Sequence, residues 1–189
     1  MNRDKKKQAT RQSLLHAAQQ LFREHGYDHV STRDISVAAG VSTGTLFAHF
    51  KDKHELTKAL FLQELDELLA HQTASMVERG SGLAYFEQYT QLLYTYYDQD
   101  RALSVALLQQ ALFEQDYYGA QMADFLAAVA DRLAVELPDC SDAQRSLVAQ
   151  AWMGFYFQYL FHGLSSAAPM MEWHTQLMSR CEAMLDLLR

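Results

Sequence analysis

The chain has 189 residues and a formal charge of −7, and 49% of its residues are apolar. Such a length can bury a full core, and such an apolar share excludes an intrinsically disordered chain. Two prolines, eight glycines and two cysteines leave few chain breaks and no disulfide framework, which favours an all-α protein with reduced thiols.

No apolar run reaches the roughly 18 residues needed to span a bilayer, and no apolar signal core follows the basic start. The expectation is a cytoplasmic protein with no membrane association. Charge is unevenly placed. Through residue 60 there are ten basic and six acidic side chains, a surplus of four, whereas residues 61–189 carry −11 and no lysine follows Lys58. A basic head on an acidic body suggests a polyanion partner.

In chain order, residues 8–25 place Leu14, Leu15, Ala18, Leu21 and Phe22 at helical spacing, and Gly26 closes that helix. Ser31 with Asp34 three residues later has the form of a capping box for a short helix over 32–39. Gly40 ends it, Ser42 caps the next helix to about residue 50, and a longer one runs over 53–78. Arg79-Gly80-Ser81-Gly82 is a break. Further helices are expected over 83–98, 101–116, 119–137, 141–164 and 170–188. The basic start, Arg3 to Lys7, is either an arm along a nucleic-acid backbone or a frayed solubilising tail.

Two short helices joined across Gly40 form a helix-turn-helix pattern, whose second helix enters the major groove of DNA. Ile35, Val41, Leu46 and Phe50 are the expected inward residues. Ser42, Thr43, Gly44 and Thr45 are small, and smallness there permits close approach to a duplex. Hydroxyls can donate to phosphate or base edges. Gly44 costs the helix about 1 kcal/mol relative to alanine, which close backbone approach would offset.

The stretch 17-AAQQLFREHGYDHVSTRDISVAAGVSTGTLFAHFKDKHEL-56 resembles the TetR family of bacterial transcriptional regulators. The likeness is an ordered pattern over about residues 8–60, from the alanine-rich first helix through A-G-V-S to H-F and K-x-K-x-x-L. It implies a homodimer whose recognition helices read a palindromic site on double-stranded DNA. It further implies an all-α fold: a three-helix DNA-binding domain over 1–52, then a six-helix effector-binding and dimerisation domain over 53–189. On this chain the implied DNA contacts are Arg33, Ser42, Thr43, Gly44, Thr45, Phe47, Ala48 and His49, with Lys51 and Lys53 against the sugar-phosphate backbone. Phe47 is alternatively core, and His49 alternatively a solvated surface residue. The chain departs from its relatives at Thr43, where a long polar residue is usual, at Phe47, where tyrosine is usual, and at Ala48, where an aromatic is common.

Between residues 83 and 161 tyrosine outnumbers phenylalanine. Each buried phenol needs a partner, and a cavity holding a partly polar ligand would supply one. The resemblance implies a small effector there. The candidate lining is Tyr89, Leu93, Tyr97 and Phe113, with Phe125, Trp152, Phe155 and Tyr159. The last two helices are the natural dimer surface, with Leu147, Ala151, Leu177, Cys181, Met184 and Leu188 as its candidates. No catalytic motif, phosphate loop or metal-spaced cluster is legible, so neither an enzyme nor a cofactor or metal is expected. The alternatives are a DNA-binding activator or adaptor with a protein partner, and a metal-responsive regulator using His162, His174 and Cys181.

Overall fold

Serine side chains start four of the helices in the computed structural model, which describes residues 3–73, 80–111 and 119–189. Ser31, Ser42, Ser81 and Ser141 each accept a hydrogen bond from the backbone N–H three residues on, meeting a donor that the first turn leaves unpaired. Among the described residues the chain is all helix. In order, it runs through α1 (Arg3–His25), a 3-10 turn (Tyr27–His29), α2 (Thr32–Ala38), α3 (Thr43–Phe47) and α4 (Lys53–Thr73). Then follow α5 (Gly82–Gln99), α6 (Arg101–Ala111), α7 (Gly119–Arg132), α8 (Asp142–Leu164) and α9 (Met170–Leu188).

These elements form two compact units: a head of residues 3–73 and 102–111, and a body of 80–101 and 119–189. The head has its own core. Leu14, Leu15, Ala18 and Phe22 of α1 meet Ile35 of α2, Leu46 of α3, Phe50, and Leu56 and Leu60 of α4, all essentially fully buried. The unit therefore runs past residue 52, because α4 supplies part of that core, and Leu103 of α6 also packs on it.

Several element bounds differ from expectation. α1 starts at Arg3, so the basic start is helical and not frayed. α7 ends at Arg132, after which the chain turns until Leu137 is buried. α3 is only five residues long. The expected ends of the helices over 53–78 and 101–116 lie outside the described residues.

In the body, α5 packs on α7, α8 and α9, and α8 packs on both α7 and α9. Two aromatic groups fill it. One holds Phe86, Phe125 and Trp152; the other stacks Tyr94 on Tyr156, with ring centroids 5.2 Å apart, and sets Trp173 and His174 edge-on to Tyr94. Leu177 and Cys181 are fully buried within this core. They are therefore not surface residues available to a dimer, a correction to the assignment from sequence. The α9 stripe that looked like an interface faces inward, because its apolar residues complete the body's own core. Leu147 and Leu188 are exposed, and Ala151 and Met184 are partly so.

At Gly163 α8 packs tightly on α9, since a Cβ there would fall inside the Trp173 indole. Gly163→Ala must push apart a packed core, at about 1–3 kcal/mol. Urea denaturation should show a clearly lowered midpoint, with the helical content of the folded state unchanged.

Candidate nucleic-acid interface

The turn between α2 and α3 is a Schellman motif. Gly40 sits at φ +67°, its N–H donates to Val37 O at 3.0 Å, and Val41 N–H donates to Ser36 O at 2.9 Å. Glycine is needed there because that φ is strained for other residues. The turn swings the chain so that Leu46 and Phe50 enter the core while the opposite side of α3 stays outside. Burying those two side chains contributes roughly 1.5–3 kcal/mol each, which fixes the rotation of so short a helix. Phe47 is 51% exposed, so it is an outward residue and not core. Ser42, Gly44 and Ala48 are exposed, and Thr43, Thr45 and His49 are partly buried. Arg33 lies exposed near the start of α2, beside the Ser31–Asp34 capping box.

Ser42 and Thr45 are joined. Thr45 N–H donates to Ser42 Oγ at 3.1 Å, and the two hydroxyl oxygens lie 2.8 Å apart. One hydroxyl proton bridges them, and the other remains for an outside acceptor. A Cβ at Gly44 would meet only Ser42 Oγ, at 3.8 Å, so nothing inside the head requires glycine there.

The two lysines behave differently. Lys51 is exposed. Lys53 donates its ammonium to Tyr27 O and lies over the Tyr27 ring, 3.9 Å from the centroid. Burial pushes its pKa below the ordinary lysine value. Lys53 thus ties α4 to the turn after α1, and Lys51 is the more available cation. The Arg11 guanidinium rests on the Phe50 ring at 4.4 Å, a contact the sequence reading missed.

Residues 14–60 match the model of the bacterial regulatory proteins of the tetR family. The sequence likeness to the tetR family is carried by this segment. Over 63 residues it is 38% identical to the HTH-type transcriptional regulator UidR of Escherichia coli K12, which is 33% of this chain and 32% of that protein. The match thus spans about a third of the length of this curated relative. Fold likeness extends further. FadR of Thermus thermophilus, a repressor solved with lauroyl-CoA, aligns over 90% of this chain and 92% of its own, at 17% identity and TM-score 0.72. FadR of Bacillus subtilis, solved with stearoyl-CoA, aligns over 94% and 96%, at 16% identity and TM-score 0.61.

In the body, the structure gathers some of the aromatics picked out from sequence and disperses others. Tyr89 stacks on Phe125 with centroids 3.7 Å apart, Phe125 neighbours Phe86, and Phe86 meets Trp152 at 5.3 Å. Phe86 and Tyr85 belong to this group and were not singled out. Leu93 and Tyr97 are buried and Phe155 is partly buried, while Phe113 lies outside the described residues. Tyr159 accepts a hydrogen bond from Arg180 Nε at 3.2 Å, and Tyr94 donates to Tyr156 O at 2.7 Å. Protein groups, not a ligand, meet these two phenols. Unmet donors lie elsewhere: buried Trp152 Nε1 and Arg132 Nε have no partner among the described residues. His174 is buried, its Nε2 at 3.2 Å from both Thr90 Oγ1 and Glu87 O. Among the described residues no three His, Cys, Asp or Glu side chains group as a metal site, and no helix is long and apolar enough to cross a membrane.

His49 provides a pH test. Burial, then the charges of Lys7 and Arg11, push its pKa below the usual histidine value, so the unbound head holds it neutral near pH 7. A depressed folded pKa means that this group opposes folding as pH falls below the unfolded value. A phosphate docked beside it would reverse the shift, and such binding would take up a proton there. Affinity for duplex DNA should rise as pH falls below neutral, and His49→Gln should flatten that rise in a fluorescence-anisotropy titration.

Proposed function

We propose that this chain is a homodimeric DNA-binding transcriptional regulator, a repressor released from a palindromic operator by a small hydrophobic or aromatic effector. The observation that carries the DNA reading is the outward face of α3, held by the Gly40 turn and anchored by buried Leu46 and Phe50. On this reading Ser42, Thr43, Gly44, Thr45, Phe47 and Ala48 meet the groove, while Arg33, His49 and Lys51 meet its phosphates. The functional boundary stays at 52/53, with α4 serving both the head core and the connection to the body. Two-fold pairing of such heads requires half-sites about one helical turn apart. The exposed side of α8, with Leu147, Ala151 and Gly154, is the proposed dimer surface, joined by Met184 and Leu188 of α9.

Gly44 separates function from fold. Gly44→Ala should leave thermal stability unchanged or raise it by up to about 1 kcal/mol. Affinity for a site selected from a random duplex pool should fall at least tenfold. Undiminished affinity would remove α3 from the groove.

The effector reading is supported by Trp152. Its indole is fully buried against Phe86, and its N–H finds no acceptor among the described residues. An unmet buried donor costs about 1–3 kcal/mol, which a ligand acceptor would recover. Arg132 Nε, whose guanidinium lies 4.2 Å over Tyr85, is a second such donor. The effector is therefore an apolar or aromatic body carrying an acceptor oxygen. Two regulators of the same fold were solved with acyl-CoAs, which join an apolar chain to such oxygens. Trp152→Phe keeps a ring and removes the N–H. It should weaken aromatic carboxylates or esters about tenfold in thermal-shift titrations while leaving the matching hydrocarbons unaffected. Equal weakening of both classes would mean that Trp152 only packs.

A further inference from the structure

Beside the end of α3 lies an open cleft of about 550 Å³, lined by Arg3, Asp4, Lys6, Lys7 and Thr10 of α1 and, opposite, by Ala48 and His49. Residues 3, 6, 7 and 10 recur at helical spacing, so one face of α1 forms the whole wall. That face is helical because α1 begins at Arg3, and it precedes the segment 14–60 that matches the family model. We propose that Arg3, Lys6 and Lys7, facing His49 across this cleft, seat the backbone phosphates that flank the groove entered by α3, making α1 a second phosphate clamp. This rests on the DNA-binding reading above.

Three observations support a DNA backbone as the occupant. The wall holds three cations against the single carboxylate of Asp4, and the side chains of Arg3, Lys6 and Lys7 are exposed. None of the three has an ion pair or side-chain hydrogen bond among the described residues. Clustering like charges without partners is unfavourable unless an anion joins them. The opposite wall is the chain leaving α3, so a strand bordering the groove passes this edge. Finally, Arg3 to Lys7 spans about 6 Å along α1, close to two steps of a DNA strand at about 3.4 Å each. An enclosed pocket would suit a single free phosphate; an open cleft with cations in a row suits a continuous strand.

Thr10 and Arg11 position this wall. The Thr10 hydroxyl donates to Lys6 O at 3.0 Å, and the Arg11 guanidinium on Phe50 holds α1 beside the end of α3. The cations therefore stand on a helix anchored to the recognition element, not on a loose tail. Contacts of this kind carry no base information, so they should strengthen binding to any duplex equally.

The test titrates the full-length protein with a fluorescent random-sequence duplex of about 30 base pairs at several KCl concentrations. Lys6→Gln and Lys7→Gln should each reduce the slope of log affinity against log salt by about 0.9, and the double variant by about 1.8. Arg189→Gln, which removes the same charge at the other end of the chain, should leave the slope unchanged. Circular dichroism should show all variants folded, since these side chains are exposed. Wild-type binding with an unaltered slope in Lys6→Gln and Lys7→Gln overturns the clamp and leaves the DNA reading standing. No salt-dependent binding by the wild type overturns both. Adding inorganic phosphate at 10 mM with KCl lowered to hold ionic strength separates the two sources of phosphate. Unchanged duplex affinity supports the strand, and competition confined to the unmutated cleft would make it a free-phosphate site instead.

Discussion

The α2–α3 turn governs everything the head can do. Gly40 at φ +67° lets two backbone N–H groups close the end of α2 on Ser36 and Val37, and the chain then leaves at one fixed angle. A five-residue helix has too few internal hydrogen bonds to hold its own orientation. Orientation comes instead from Leu46 and Phe50, which sink into a core built by α1, α2 and α4. The exposed face of α3 is therefore an outcome of packing behind it. Phe47 points outward because its neighbours at 46 and 50 take the inward positions.

The same head shows how charge is sorted by environment. Lys53 looks equivalent to Lys51 in the sequence, yet its ammonium turns inward to Tyr27 O and an aromatic face, where burial lowers its pKa. Arg11 likewise lies on Phe50. Among the described residues Arg3, Lys6 and Lys7 make no such internal contact, and they share one wall of a cleft with His49 opposite. Basic residues near α3 thus divide into those that fix the fold and those left exposed to solvent. The division depends on which of them find an acceptor or ring within the head.

In the body, aromatic packing and polar accounting give different messages. Stacked and edge-on rings fill both clusters, and the phenols of Tyr94 and Tyr159 are met within the protein. The surplus of tyrosine is therefore a weaker sign of a ligand than it looked. Trp152 is the stronger sign, since its buried N–H has no acceptor among the described residues. Composition cannot reveal such an omission, because it depends on what a side chain fails to reach.

The sequence by itself determined the helical architecture, the caps at Ser31, Ser42, Ser81 and Ser141, the glycine turn at Gly40 and the family resemblance of the head. These are local: capping, glycine conformation and helical periodicity act over a few residues, so they can be read along the chain. Tertiary structure decided that Leu177 and Cys181 are core, that Lys53 faces inward, and that Lys6 and Lys7 stand across from His49. It also decided which phenols are satisfied and that Trp152 is not. Those outcomes depend on residues distant in sequence meeting in space, and periodicity says only that a helix has an apolar face, never what that face will touch.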